Sequence, residues 1–460
     1  MNQSTFQSFP LRRILGQPRN FKSKRFASGA KKVLGSGNYA IVYSATDTNQ
    51  NPVALKINDC NKHGLYHNVS DAGRIATEIA ALRVLGDFPF IAGLANCGTT
   101  ATAAEHGPTA AAIEYDPTAA AVAVALRPFR FSLQDLISRG GGPAEGGITY
   151  DHVRLIMKCA LLGLARLHRG GAGHYDVSAN NILYGEFDKM AHSDPQDPKR
   201  GLAALADLGL LAPAAGARGP RVMLLNRAPE IVLHMCGRLA SYTAAADVFG
   251  AGCVLADLLR LCARRARAAA GAPAVAGEGL ATFGDLMDPA LWDDEDAEAE
   301  PSAEAYFHVY YRIMGDPQAA PGTPAAAGAF EFPLAGAPAG AVALARRMLA
   351  LDPAHRPTVE EVLADEFFAS MVFDGAPSMA DSAWGEPGDL VPAIDKIKAL
   401  VRKEDASVAL REWFTECSEC DAFGDATGDT TESATGDAFG DATDYSPSTK
   451  RLKLTVEGMP

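Results

Sequence analysis

His174-Tyr175-Asp176-Val177-Ser178-Ala179-Asn180-Asn181-Ile182-Leu183 follows directly on a segment of helical apolar spacing that closes with Leu164-Ala165-Arg166-Leu167-His168. The decapeptide carries one carboxylate and, five residues on, one carboxamide, in what reads as a loop. Asp176 is placed to orient a hydroxyl or to take its proton, and Asn181 can bond Asp176 across the loop and hold a magnesium ion. An aspartate and an asparagine in a loop are more often a turn device, so the weight of the reading comes from what stands on either side.

Downstream, Asp207-Leu208-Gly209 ends another apolar strand, 31 residues after Asp176. Its carboxylate suits a metal bridging the β- and γ-phosphates of a nucleotide, although one Asp-x-Gly among 44 glycines means little alone. Ala228-Pro229-Glu230 comes 21 residues later, and His355-Arg356-Pro357-Thr358 lies near the end of the helical half. A glutamate and an arginine buried so far apart in sequence can form one ion pair, tying a substrate-binding segment to a helical lobe. Asp247-Val248-Phe249-Gly250-Ala251-Gly252 opens the long apolar helix expected over 241–263 and is set to brace the loop.

Upstream, Gly35-Ser36-Gly37-Asn38-Tyr39-Ala40-Ile41-Val42 lies between two expected strands. Glycines there let the backbone close over phosphates and present N–H groups to them. An ordinary hairpin has the same composition, so this loop needs its neighbour. Val53-Ala54-Leu55-Lys56 supplies it: a lysine inside an apolar strand is costly to bury unless an anion meets it. Glu78 falls between Ile75 and Leu82 on the buried face of a helix expected over 70–85, where an unpaired carboxylate is equally costly. Two snorkelling surface charges are the bland alternative.

In order and spacing these elements resemble the eukaryotic protein-kinase fold, over about residues 31–370. That resemblance implies an α+β, two-lobed architecture: a small β-rich N-lobe with one key helix and a larger, mainly helical C-lobe. It implies ATP and Mg2+ as cofactors and proteins as substrates. Position by position, it implies that Lys56 anchors the α- and β-phosphates with Glu78 as its helix partner, and that Asp176 is the catalytic aspartate. Asn181 and Asp207 become the metal ligands, and Asn181 belongs with Asp176 and Lys56 in the catalytic set. Gly35, Ser36, Gly37, Asn38, Tyr39, Ala40 and Val42 cover the nucleotide, and Arg127-Pro128-Phe129-Arg130 is the hinge where adenine meets backbone. The loop reads His-Tyr-Asp-Val-Ser-Ala-Asn-Asn where the common form is His-Arg-Asp-Leu-Lys. With the divergent inserts and the high Ala and Gly content, it resembles the conserved tegument serine/threonine kinase of herpesviruses. That narrower resemblance implies viral and host protein substrates, packaging in the virion tegument and action in the host nucleus.

The departures carry an expectation of their own. Tyr175 stands where most kinases place the arginine that pairs with a phosphate on the activation loop, and residues 210–227 contain no Ser, Thr or Tyr. Both halves of the usual switch are missing, so the loop is expected to be ordered by packing and the enzyme active without loop phosphorylation. Ser178 replaces the lysine that commonly touches the transferred phosphate, and Met223 a threonine that touches the catalytic aspartate. A pseudokinase scaffold is the main competing class, but no anchoring lysine or metal ligand is lost. A small-molecule phosphotransferase shares the Asp…Asn and Asp elements without Glu230, Asp247 and Arg356. A cellular-type kinase is the remaining alternative to a viral one.

The 460 residues also divide by composition. Residues 1–30 read as a flexible basic arm, 31–127 as the N-lobe and 128–372 as the C-lobe with insertions near 186–201 and 264–304. A C-terminal extension covers 373–414, and an acidic disordered tail covers 415–460. The Ala/Thr-rich stretch 99–119 reads as a further insertion. The net charge of −13 is unevenly placed: 285–304 and 416–444 hold nine acids each and no Lys or Arg. Without them the chain is about +5, able to attract phosphates. Cys417 and Cys420 lack the second ligand pair that zinc needs. No segment is apolar enough to span a bilayer, no secretory signal is expected, and the basic runs lack the aromatic interleaving of a nucleic-acid site.

Overall fold

A computed structural model of the chain describes residues 26, 32–36, 40–59, 71–86, 88–95, 112–116, 121–138, 148–186, 203–218, 226–235, 237–271, 336–369, 371–374, 388–403 and 453–456. The first lobe is an antiparallel sheet in the order β1-β2-β3-β5-β4, made of β1 Val33–Ser36, β2 Ala40–Thr46, β3 Pro52–Asp59, β4 Ile113–Asp116 and β5 Ala121–Leu126. β5 reads Ala-Val-Ala-Val-Ala-Leu and is buried at every residue, as expected of a strand with neighbours on both edges and cover on both faces. Helix α1, Asp71–Leu85, lays Ile75, Ile79 and Leu82 into the core at helical spacing. That spacing turns Glu78 toward the sheet rather than to solvent.

The second lobe opens with β6 Phe129–Ser132, which pairs with β8 Ile182–Glu186, itself paired with β9 Ala203–Leu205. Between β6 and β8 come α2 Leu133–Ser138, α3 Tyr150–Arg169 and the short β7 Ala172–Gly173. α3 starts where Thr149 and His152 cap one another: the Thr149 hydroxyl accepts from the His152 amide at 3.3 Å, and the Thr149 amide donates to the His152 ring at 3.1 Å. β10 Ala212–Pro213 returns to pair with β7, and α4 Pro229–Met235, α5 Ala245–Ala269 and α6 Ala339–Met348 complete the body of the lobe. α7 Val359–Leu363 and α8 Glu366–Ala369 close it. The chain is an α+β, two-lobed protein with its β-rich lobe first and its helical lobe second.

Several boundaries differ from the sequence expectation, each for a local reason. β4 lies inside the stretch 99–119 expected to be an insertion; its four residues are too short an alternation to stand out among alanines, yet they cover an edge of β5. Phe26, assigned to the arm, is buried in the core. α7 and α8 are separate helices, because Asp365 takes the Phe367 amide on its side chain at 3.0 Å and starts a new one. α5 runs to Ala269, several residues into the expected 264–304 insertion, through Ala and Arg residues that favour helix. The C-terminal extension holds a helix, α9 Leu390–Lys403. The stretch expected to be a disordered tail supplies β12 Lys453–Val456, antiparallel to β11 Met371–Asp374. Gly37, Asn38, Tyr39, Met223, Cys417, Cys420, most of the arm and tail, and the whole of both acidic stretches lie outside the described residues.

Candidate active site

β3 places Lys56 opposite Val42 on β2 and Val124 on β5, so all three side chains share one face of the sheet. On that face the Lys56 ammonium donates to both oxygens of Glu78, each at 2.8 Å, and to Oδ1 of Asp207 at 3.1 Å. Glu78 is buried, whereas the Asp207 side chain keeps 36% of its surface exposed. Burial alone lowers the Lys56 pKa, but the Asp207 and Glu78 carboxylates outweigh it and hold the ammonium above its ordinary value. Burial pushes the Glu78 carboxyl up, and Lys56 pulls it only part of the way back. For Asp207 the raising effect of burial loses to the Lys56 ammonium and the Arg74 guanidinium, which bring it down to about 2. Arg74 stands on α1 one turn before Glu78 and was not singled out from sequence; its i−4 spacing from Glu78 was the available signal.

The stretch 174–181 is held from beneath by Asp247. The buried Asp247 carboxylate accepts from the backbone amides of His174 at 2.7 Å and Tyr175 at 2.6 Å, and from the His168 ring at 2.9 Å. The His174 ring links forward and back: Nδ1 accepts from the Asp176 amide at 3.1 Å and Nε2 donates to the Ala206 carbonyl at 3.0 Å. Asn181 closes the loop, its amide nitrogen donating to the Asp176 carboxylate at 2.8 Å and to the Asp176 carbonyl at 2.9 Å. The Ala206 amide bonds the Asn181 carbonyl at 2.8 Å. Ala206 immediately precedes Asp207, so the loop and the carboxylate that meets Lys56 are joined by two bonds to one residue. Gly250 has a steric reason: a Cβ there would stand 2.8 Å from the Val177 carbonyl, so only glycine lets α5 approach the loop this closely.

Asp207 and Tyr175 both sit at positive φ, 61° and 59°. Such strain in non-glycine residues persists only where the surroundings hold it, and it gathers at functional sites. Tyr175 is held on every side. Its hydroxyl donates to the Pro213 carbonyl at 2.7 Å, and its ring meets Tyr242 edge-on, with centroids 5.4 Å apart. A Cβ on Gly173 would fall 2.6 Å from the Tyr175 ring, so the glycine makes room for the tyrosine. Glu230 and Arg356 form the buried pair expected of them, at 2.6 and 2.8 Å, with the guanidinium also bonded to the carbonyls of Ala245, Ala350 and Leu351.

Residues 127 and 128 link the two lobes' sheets. The Arg127 guanidinium donates to the carbonyls of Phe88 and Pro89 at 3.3 Å each, and to that of Ile91. This clamp on the inter-lobe connection was not anticipated; an arginine between two apolar strands was its only trace. Ser178 is buried, and its hydroxyl has no hydrogen-bond partner among the described residues. Gly35, Ala40 and Val42 sit in the β1–β2 hairpin, where Gly35 is paired across from Val42 and Ser36 from Ile41. A hard cation fits the donor set at the far side of the site. The Asn181 amide nitrogen is spent on Asp176, which leaves its oxygen as the outward end, and Asp207 offers a partly exposed carboxylate. Among the described residues no group of three or more His, Cys, Asp or Glu could hold a metal by itself.

Comparison with known proteins bears on this arrangement. A family model described as "Protein kinase domain" matches residues 29–368. The chain is 27% identical to Mitogen-activated protein kinase 9 of Arabidopsis thaliana over 363 residues, 76% of this chain and 59% of that protein. It is 27% identical over 366 residues to Mitogen-activated protein kinase 14 of Oryza sativa subsp. japonica, covering 76% and 55%. With Mitogen-activated protein kinase 16 of the same rice it shares 26% over 372 residues, 77% and 62%. The chain thus spans less than two thirds of the length of these relatives.

Proposed function

Because this chain belongs to the protein kinase domain family, we propose that it transfers the γ-phosphoryl group of magnesium-bound ATP to serine or threonine hydroxyls of other proteins. The observation that carries the reading is the convergence of Lys56, Glu78 and Asp207 with the Asp176–Asn181 loop, joined through Ala206. In this reading Glu78 holds the Lys56 ammonium against the α- and β-phosphates, and Asp176 orients the acceptor hydroxyl and takes its proton as the new P–O bond forms. Asn181 and Asp207 would hold the magnesium, which would neutralise charge on the phosphates. Gly35 to Ala40, with Val42, cover the nucleotide, and the backbone at 127–130 meets the adenine edge. Asp247 keeps Asp176 in place, and the Glu230–Arg356 pair fixes the segment that receives the protein substrate.

In this reading the segment after Asp207 needs no phosphate to take up its working conformation. Tyr175 reaches it through a neutral hydrogen bond to Pro213, where an arginine would need an anion to answer its charge. The catalytic-loop sequence supports the narrower reading of a herpesvirus tegument-type kinase, acting on viral and host proteins in the host nucleus and carried in the virion. The similarity to plant mitogen-activated protein kinases favours the second reading, a cellular-type kinase. No helix among the described residues is long and apolar enough to cross a membrane.

The test is incorporation of labelled phosphate from Mg-ATP into mixed protein acceptors by the wild type and Lys56→Met, followed by phosphoamino-acid analysis. Label on phosphoserine and phosphothreonine from the wild type alone is the expected outcome. Equal label from both proteins means a contaminating kinase, and phosphotyrosine as the product overturns the serine/threonine assignment. Loss of activity on phosphatase treatment, with a phosphosite traced to 210–227, would overturn the constitutive activation segment.

A further inference from the structure

The helix α9 lies in a stretch to which the phosphotransfer reading assigns no role, yet it is tied to both lobes. Its start is built onto the end of α3. The last carbonyls of a helix lack intrahelical partners, and here the Gly388 amide donates to the Arg169 carbonyl at 2.9 Å and the Leu390 amide to the Gly170 carbonyl at 3.2 Å. Asp389, between them, accepts from both terminal nitrogens of the buried Arg166 on α3, at 3.1 and 2.6 Å. Leu390 and Ile394, one turn apart, are fully buried in the common core. Gly170 marks how close the docking is: a Cβ there would fall 2.6 Å from Leu390 Cδ1 and 2.8 Å from Asp389 Oδ1. From this anchor on the helical lobe, α9 packs along α1, the helix that carries Glu78, and touches β10, the strand to which Tyr175 is tied.

We propose that α9 is a brace that holds α1 in the position where Glu78 pairs with Lys56, with Asp389 and Arg166 as its positioning residues. The brace rests on the reading of the Lys56–Glu78 pair as part of the phosphotransfer site. It gives the chain a fixed support for α1 that depends on covalent continuity rather than on a modification. Residues 210–227 offer no phosphorylatable residue, and α1 packs on α9 as well as on residues 208–210.

The experiment is hydrogen–deuterium exchange on the full chain for wild type, Gly170→Ala, Asp389→Ala and Asp389→Glu, with kcat and ATP KM measured alongside. Gly170 has a φ of −69°, which alanine adopts readily, and neither substituted residue belongs to the phosphate site. Gly170→Ala and Asp389→Ala are expected to speed exchange in both α9 and α1 by about tenfold or more, with α5 unchanged. Asp389→Glu keeps the carboxylate and recovers most of the protection. In step, kcat/KM for ATP falls. Faster exchange in α9 with α1 unchanged overturns the brace, as does unchanged exchange in α9 in both variants. If α1 loosens as expected but the wild type transfers no phosphate, the brace stands and the phosphotransfer reading fails, so the two failures are separable.

Discussion

Replacing Tyr175 by Phe removes one hydroxyl and leaves the ring edge-on to Tyr242 and above Gly173. The loss is a hydrogen bond of 2.7 Å to the Pro213 carbonyl, in a place where water reaches only part of the surroundings. A net hydrogen bond contributes about 1 kcal/mol, and a carbonyl left without its donor raises the cost to about 1–3 kcal/mol. Because, among the described residues, β10 pairs only with β7, through Ala212 and Pro213, that cost falls on the stretch that follows Asp207. The expected result is a lower unfolding free energy by roughly that amount and a kcat/KM for protein substrate reduced by up to about tenfold. Tyr175→Arg is the sharper variant: it buries a guanidinium with no phosphate to meet it and is expected to cost about 3–5 kcal/mol. Chemical denaturation followed by steady-state kinetics reads both. Wild-type stability and wild-type kcat/KM in Tyr175→Phe, or full activity in Tyr175→Arg, would refute the idea that this hydroxyl tethers the segment.

Breaking the buried Glu230–Arg356 pair with Glu230→Gln leaves an uncompensated guanidinium and is expected to destabilise the helical lobe by about 3–5 kcal/mol in urea unfolding, against little change if solvent reaches the pair. Gly250→Ala forces a Cβ toward the Val177 carbonyl and is expected to cost about 1–3 kcal/mol and to lower kcat by displacing Asp176, with ATP affinity kept. The acid dependence follows from Asp207, whose pKa in the folded protein is about 2 against an ordinary value of 3.8. Its contribution to stability is whole above about pH 3.8 and is lost as the pH falls through about 2, so Asp207→Asn should flatten that limb of the acid-unfolding curve. An unchanged limb would mean the carboxylate gains nothing from Lys56.

What the sequence made legible were features that a single residue type at one spacing already constrains. Lys56 in an apolar strand and Glu78 on the buried face of α1 had to find opposite charge, and they find each other. Tyr175 could be marked as a departure, but its partner could not, because Pro213 contributes only a carbonyl that any residue would supply. Backbone acceptors leave no trace in sequence, which is also why the Arg127 clamp went unseen. α9 was missed for a different reason. Leu390, Ile394, Ile397 and Val401 recur at helical spacing, but Pro392 in the first turn and the surrounding Gly and Pro residues read as an extension. A proline near a helix start removes no hydrogen bond that would have formed. β4 and β12 are four-residue strands, too short for an alternation to be told from chance.

The most direct measurement is a crystal structure of the full chain with Mg2+ and a non-hydrolysable ATP analogue. Lys56 Nζ is expected within hydrogen-bond reach of the α- or β-phosphate, the metal on Asn181 and Asp207, and the Asp176 carboxylate facing the γ-phosphate. A nucleotide seated elsewhere, or a metal held by other side chains while Lys56 stays locked to Glu78 and Asp207 alone, would contradict that arrangement.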